Sequence, residues 1–154
     1  MIAVVETTTH YKSTKEIFAL VDAFESCTLS RAEWTHAAHL TVGLWYLLLH
    51  PFDEAVNFIC NGIKRFNASH GIVTTPTGGY HETLTLFWIH TVNGYLKKHK
   101  DRELSFVGLA NGLIEKCGDS KLPFEYYSRD YLFSPTARTE FVAPDLKPLG
   151  TPSS

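Results

Sequence analysis

Histidine is the side chain best suited to bind a transition metal or to move a proton near neutral pH. This chain places His36 and His39 three residues apart at the start of the stretch WTHAAHLTVGLWYLLL. On a helix that spacing sets the two rings about 60° apart, so both can face one cavity. The plainer reading is a pair of helix-start histidines, partly in solvent or satisfied in the core. A second pair, His81-Glu82, opens the stretch HETLTLFWIHTVNGYL. Free N–H groups and the partial positive charge of a helix N-terminus depress a carboxylate pKa and favour neutral imidazole. Both effects suit metal ligation, and both suit a general base. The plainer reading has Glu82 complementing the helix dipole and His81 at the surface. Thr85 stands where the HExxH metalloprotease pattern needs its second histidine, so that pattern is absent.

A third cluster lies near the C-terminus: Tyr126, Tyr127, Ser128, Arg129, Tyr131 and Arg138. Phenols and a guanidinium can orient an anionic group, arginine bidentately; the alternative is an aromatic flap with surface arginines. Arg138 lies in an apolar context that calls for a buried carboxylate or a ligand to pair it. Tyr80, Tyr127, Arg138 and Trp34 are therefore the expected ligand-binding residues. His36, His39 and His81 are the expected metal ligands, and His81 and Glu82 the expected catalytic pair. His90 lies nine positions after His81, about half a turn round the helix, and is expected to be a satisfied core histidine. No P-loop, GxGxxG, GxSxG or calcium-loop pattern occurs.

The elements that must position these groups are helical. Trp34–Leu49 and His81–Leu96 are apolar on every side, which predicts two buried helices with polar heads. If the two run side by side with heads at one end, four polar groups converge, as in metal sites built inside helical bundles; antiparallel helices would separate them. Thr35 is the favoured cap of the first, with Ser30-Glu33 as an alternative capping box, and Gly43 inside it predicts a close helix neighbour. A first amphipathic helix is expected from a Ser13–Glu16 capping box to near Cys27. A third runs from Phe52 to about Ala68 and stops at Gly71. The turn-rich loop 72–79 leads into the second buried helix, which ends among Lys97–Lys100; another helix from Asp101 or Arg102 stops at Gly118. Short turns are expected at Pro123–Tyr127 and Ser134–Phe141, with an irregular arm at 1–12 and a disordered end at 150–154. The whole predicts an all-α single domain of about five helices, with an irregular aromatic- and proline-rich segment (122–149) packed on it.

The 154 residues suit one core, and aromatics are high at 13%. A net charge of −2 without a basic stripe argues against nucleic acid as a partner. Cys27, Cys60 and Cys117 form no CxxC or CxxH pair, which excludes a zinc finger and fits reduced, mostly buried thiols. The N-terminus lacks a basic n-region and the apolar runs fall short of a bilayer span, so the expectation is a cytoplasmic protein with no membrane partner. A small molecule is the expected partner, and a homodimer is compatible with the sequence.

With these residues in view, the chain resembles a family of small bacterial proteins to which no reaction is assigned. The resemblance rests on Trp34-Thr35-His36-Ala37-Ala38-His39-Leu40, Gly79-Tyr80-His81-Glu82-Thr83, and Tyr126-Tyr127-Ser128 through Ser134-Pro135-Thr136-Ala137-Arg138. It covers most of residues 28–149 and implies that the three stretches belong together. Size and helical layout are also similar to the metal-binding DinB-like four-helix bundles, an analogy of fold that transfers no function. Three functions remain open. One is a small enzyme with a divalent metal, zinc or iron, on His36, His39 and His81, with Glu82 as fourth ligand or base. The second is a metal-free acid–base enzyme with the same groups. The third is a non-catalytic binding protein with an aromatic-lined pocket.

Overall fold

The computed structural model describes residues 10–99 and 105–150, and most of them are helical. The long helices are α1 (Thr14–Glu25), α2 (His36–Leu49), α3 (Phe52–Ser69), α4 (Glu82–His99) and α5 (Phe106–Cys117). A 3-10 turn (Leu122–Glu125) and two short helices, α6 (Arg129–Leu132) and α7 (Pro135–Thr139), complete the chain. There is no β-strand among the described residues. The fold is all-α, as the apolar periodicity predicts.

Both capping alternatives before α2 are used, in different places. Thr35 Oγ1 accepts from the Ala38 N–H at 3.2 Å and caps α2. The Ser30-Glu33 box closes the turn just ahead of it: Glu33 accepts from Ser30 N–H and Oγ–H, and Ser30 Oγ accepts from Glu33 N–H. The Ser13 box forms only in part. Ser13 makes no side-chain cap bond, and Glu16 accepts from the Lys12 N–H. The expected start at Asp101 or Arg102 lies outside the described residues; Ser105 caps α5 by accepting from the Gly108 N–H at 2.9 Å.

Two helices end in the same double hydrogen bond. After α3, Gly71 takes φ +71°, with Gly71 N–H donating to Ala68 O and Ile72 N–H to Asn67 O. After α1, Cys27 takes φ +61°, with Cys27 N–H donating to Phe24 O and Thr28 N–H to Ala23 O. This is the Schellman ending, in which a left-handed residue satisfies the last carbonyls. Cysteine occupies a place that normally favours glycine.

Helix α2 is central and touches α1, α3, α4 and α5. Residues 40–44 are all buried, so it is enclosed on every side there. Helix α4 corrects the expectation of a second enclosed helix. It buries Phe87, Ile89, Val92, Tyr95 and Leu96, but His90 points out and is exposed. His90 is therefore not a core histidine; it lies on the outer strip of α4, with the Phe52 ring centroid 5.7 Å away. Gly43 is corrected as well. A Cβ there would meet only Val92 Cγ2, at 4.0 Å, an ordinary contact rather than a close helix approach.

The segment from Leu122 onward forms a second apolar cluster around Phe87, Tyr127 and Leu132, and Trp88 packs against both this cluster and the main core. It grips the head of α4. Thr83 Oγ1 donates to Glu140 O and accepts from the Val142 N–H. Among the described residues, no helix is long and apolar enough to cross a membrane.

Candidate functional site

The heads of α2 and α4 meet. His36 lies edge-on to Trp88, centroids 4.4 Å apart, and Gly43 faces Val92, so the two helices cross this contact running in the same sense. Between them and α3 opens a cavity of about 410 Å³. His36, His39 and Gly43 line it from α2, with Trp34 just ahead of that helix. Leu84, Thr85, Trp88 and Val92 line it from α4, and Ile59, Ile63 and Asn67 from α3. Gly79, Tyr80 and His81 close the remaining side. A cavity of this size suits a small molecule.

The His39 ring stacks on Trp34, centroids 3.8 Å apart, and its Nδ1 lies 2.8 Å from the Thr35 carbonyl. A carbonyl only accepts, so Nδ1 carries the hydrogen and Nε2 the lone pair. Part of the ring surface is open to the cavity, yet protein surrounds it densely, and this burial pushes its pKa down to about 4. The Thr35 carbonyl works against that shift and His36 adds to it. His36 places Nε2 3.2 Å from the Cys117 carbonyl, so Nε2 donates and Nδ1 is its lone-pair nitrogen. Burial lowers its pKa too, against the Cys117 carbonyl and Asp119. Both rings are thus neutral at pH 7, each with one nitrogen held by backbone and the other without a partner among the described residues.

His81 has a different task. Its Nδ1 accepts from the Leu84 N–H at 3.1 Å and its Nε2 donates to Leu132 O at 2.8 Å. It is the N-cap of α4, and it ties that helix to the C-terminal segment. Both ring nitrogens are engaged, which leaves neither for a metal or a proton transfer in this arrangement. Burial lowers its pKa, and Arg138 adds to the effect against the pull of the Leu132 carbonyl. Glu82 does not line the cavity; its Oε1 accepts from the Tyr80 hydroxyl at 2.6 Å. Burial, with Cys60 and Glu82 beside it, holds the Tyr80 phenol far above its usual pKa, and Lys64 Nζ stands 4.8 Å from the ring centroid.

Two other expected ligand-binding residues hold structure. Tyr127 is fully buried in the second cluster, and its hydroxyl donates to Val142 O at 2.7 Å. Arg138 is buried, and its partners are carbonyls rather than the expected carboxylate: Nε donates to Pro76 O at 3.2 Å, and Nη1 to Gly79 O at 3.3 Å and Tyr80 O at 3.5 Å. It fixes the loop that delivers Gly79 and Tyr80 to the cavity wall. Among the described residues no group of three or more His, Cys, Asp or Glu side chains is placed to hold a metal ion.

Trp88, Asn67 and Gly43 are cavity residues that motif reading passes over. The signal was present. Trp88 follows His81 by seven residues and so shares its helix face, and Asn67 is the polar member of the Ile59, Ile63, Asn67 face of α3. No family model, no curated protein and no solved structure matches this chain.

Proposed function

We propose that this protein binds a small, mainly apolar molecule in the cavity between the heads of α2 and α4. One observation carries this reading: an apolar and aromatic cavity of about 410 Å³ lined by two backbone-anchored, neutral histidines, each with one ring nitrogen without a partner among the described residues. Few, well-placed polar groups in an apolar enclosure are the usual make-up of a ligand pocket. Burial of His39 supports binding over general-base work, because a pKa near 4 is far below the value a base needs at neutral pH.

A divalent transition metal is the second reading. It is favoured by the ring anchoring, since a ligating histidine usually donates its other N–H to a carbonyl or carboxylate. Two imidazole nitrogens fall short of the three protein ligands common in catalytic zinc sites, which ranks it second.

The test is calorimetric titration with neutral bicyclic aromatics, beside titration with zinc. The expected result is heat of binding with the aromatics. It should be lost in Gly43→Leu, whose side chain would fill the cavity, while the helical circular dichroism is kept. Equal binding by Gly43→Leu would place the ligand elsewhere. Tight zinc binding that disappears in His36→Ala and His39→Ala would favour the metal.

A further inference from the structure

Five of the polar side chains around this cavity direct their hydrogens into the protein. His36 donates to Cys117 O, His39 to Thr35 O and His81 to Leu132 O. Thr85 donates to His81 O at 2.8 Å, and Tyr80 to Glu82. Each of these five partners is a carbonyl or a carboxylate, so none can exchange its role and return the hydrogen to the cavity. The anchors are also stiff: His39 is clamped by the Trp34 stack and His36 by the edge of Trp88. The free positions of the histidine pair are consequently lone pairs. Among the lining side chains, uncommitted donors remain only on the Asn67 amide and the Trp34 and Trp88 indoles, none of which has a hydrogen-bond partner among the described residues.

On the reading that this cavity is a binding site, we propose that its ligand is an aromatic or cyclic molecule with an N–H or O–H group that donates to the His36/His39 pair. A ligand that turns a carbonyl, ether or carboxylate oxygen toward these nitrogens would set lone pair against lone pair in a mainly apolar site. Desolvation of the histidine nitrogens would then go uncompensated, the costly side of hydrogen bonding. An apolar ring with one donor answers both the Trp34, Trp88, Tyr80 surface and the histidine pair. Any acceptor on such a ligand would face Asn67 or the indoles.

The experiment is calorimetric titration of the full chain at pH 7 with three probes: indole, 1-methylindole and 3-methylindole. Indole and 3-methylindole both keep the N–H; 1-methylindole has lost it but has the same added methyl as 3-methylindole. The expected result is that 1-methylindole binds about tenfold more weakly than 3-methylindole, the size of one hydrogen bond. In the double variant His36→Phe/His39→Phe, this difference should collapse while the variant still binds both methylindoles. Equal affinity of the two methylindoles for the wild-type chain would overturn the proposal while leaving the cavity as a binding site. A preference for 3-methylindole that persists in the double variant would overturn the assignment to the histidines. Binding of none of the three probes would overturn the binding reading, and this proposal with it.

Discussion

At the scale of single residues, His36, His39 and His81 differ through the partner of each ring nitrogen. His39 gives a pH prediction whose sign follows from burial. Its pKa falls from about 6.5 in the unfolded chain to about 4 in the fold. Between those values the unfolded chain binds the extra proton, so stability rises with pH across the window and is lost as pH falls from about 6.5 towards 4. The loss from this residue is at most about 3 kcal/mol. His36 and His81 are shifted in the same direction, so they deepen the decline. Urea unfolding at pH 7, 5.5 and 4.5 should show the midpoint falling, and His39→Gln should flatten part of that fall. A midpoint equally steep in the variant would mean that His39 titrates normally in the fold. Gly43 changes meaning at this scale as well: with ordinary contact space around it, Gly43→Ala should stabilise α2 by about 1 kcal/mol through helix propensity. Thermal unfolding measures this, and a destabilised variant would restore the close helix approach that the glycine suggests in the sequence.

At the scale of elements, the loop 72–80 and the head of α4 are positioned from far along the chain. Arg138 bonds three carbonyls of that loop, and no carboxylate pairs with it among the described residues. Arg138→Met should leave those carbonyls short of a partner and destabilise the protein by about 2–4 kcal/mol. Arg138→Lys should recover only part, because an ammonium lacks the planar fork that reaches separate carbonyls. Urea midpoints measure both. If Arg138→Met unfolds like wild type but binds poorly, Arg138 acts on the ligand rather than on the loop. The caps of α2, α5 and α7 rest on Thr35, Ser105 and Ser134, three side chains that bond an N–H three residues on. That chemistry is local, so Thr35 and Ser134 are readable from sequence.

At the scale of the whole molecule, the second cluster around Tyr127 makes the C-terminal segment part of the fold and leaves the cavity to the main bundle. Tyr127→Phe should therefore lower stability by about 1–2 kcal/mol, the cost of an unmet Val142 carbonyl. Indole affinity should stay unchanged; a selective binding loss would return Tyr127 to the site. The sequence by itself determined the helices, most of their caps and stops, the enclosure of α2, and the all-α class. These depend on contacts within about four residues along one helix and on the spacing of apolar side chains. It also marked Trp34, His36, His39, Tyr80 and His81, which now line one cavity. The carbonyl that orients His39 is local, four residues back at Thr35, but only the tertiary structure decided what His36 does and what His81 is tied to. The carbonyl that orients His36 lies 81 residues away, and the one that occupies His81 lies 51 away. A ring nitrogen takes its role from whichever group folding brings to it. That choice tied His81 to the C-terminal segment and left His36 as an acceptor, while packing put His90 at the surface.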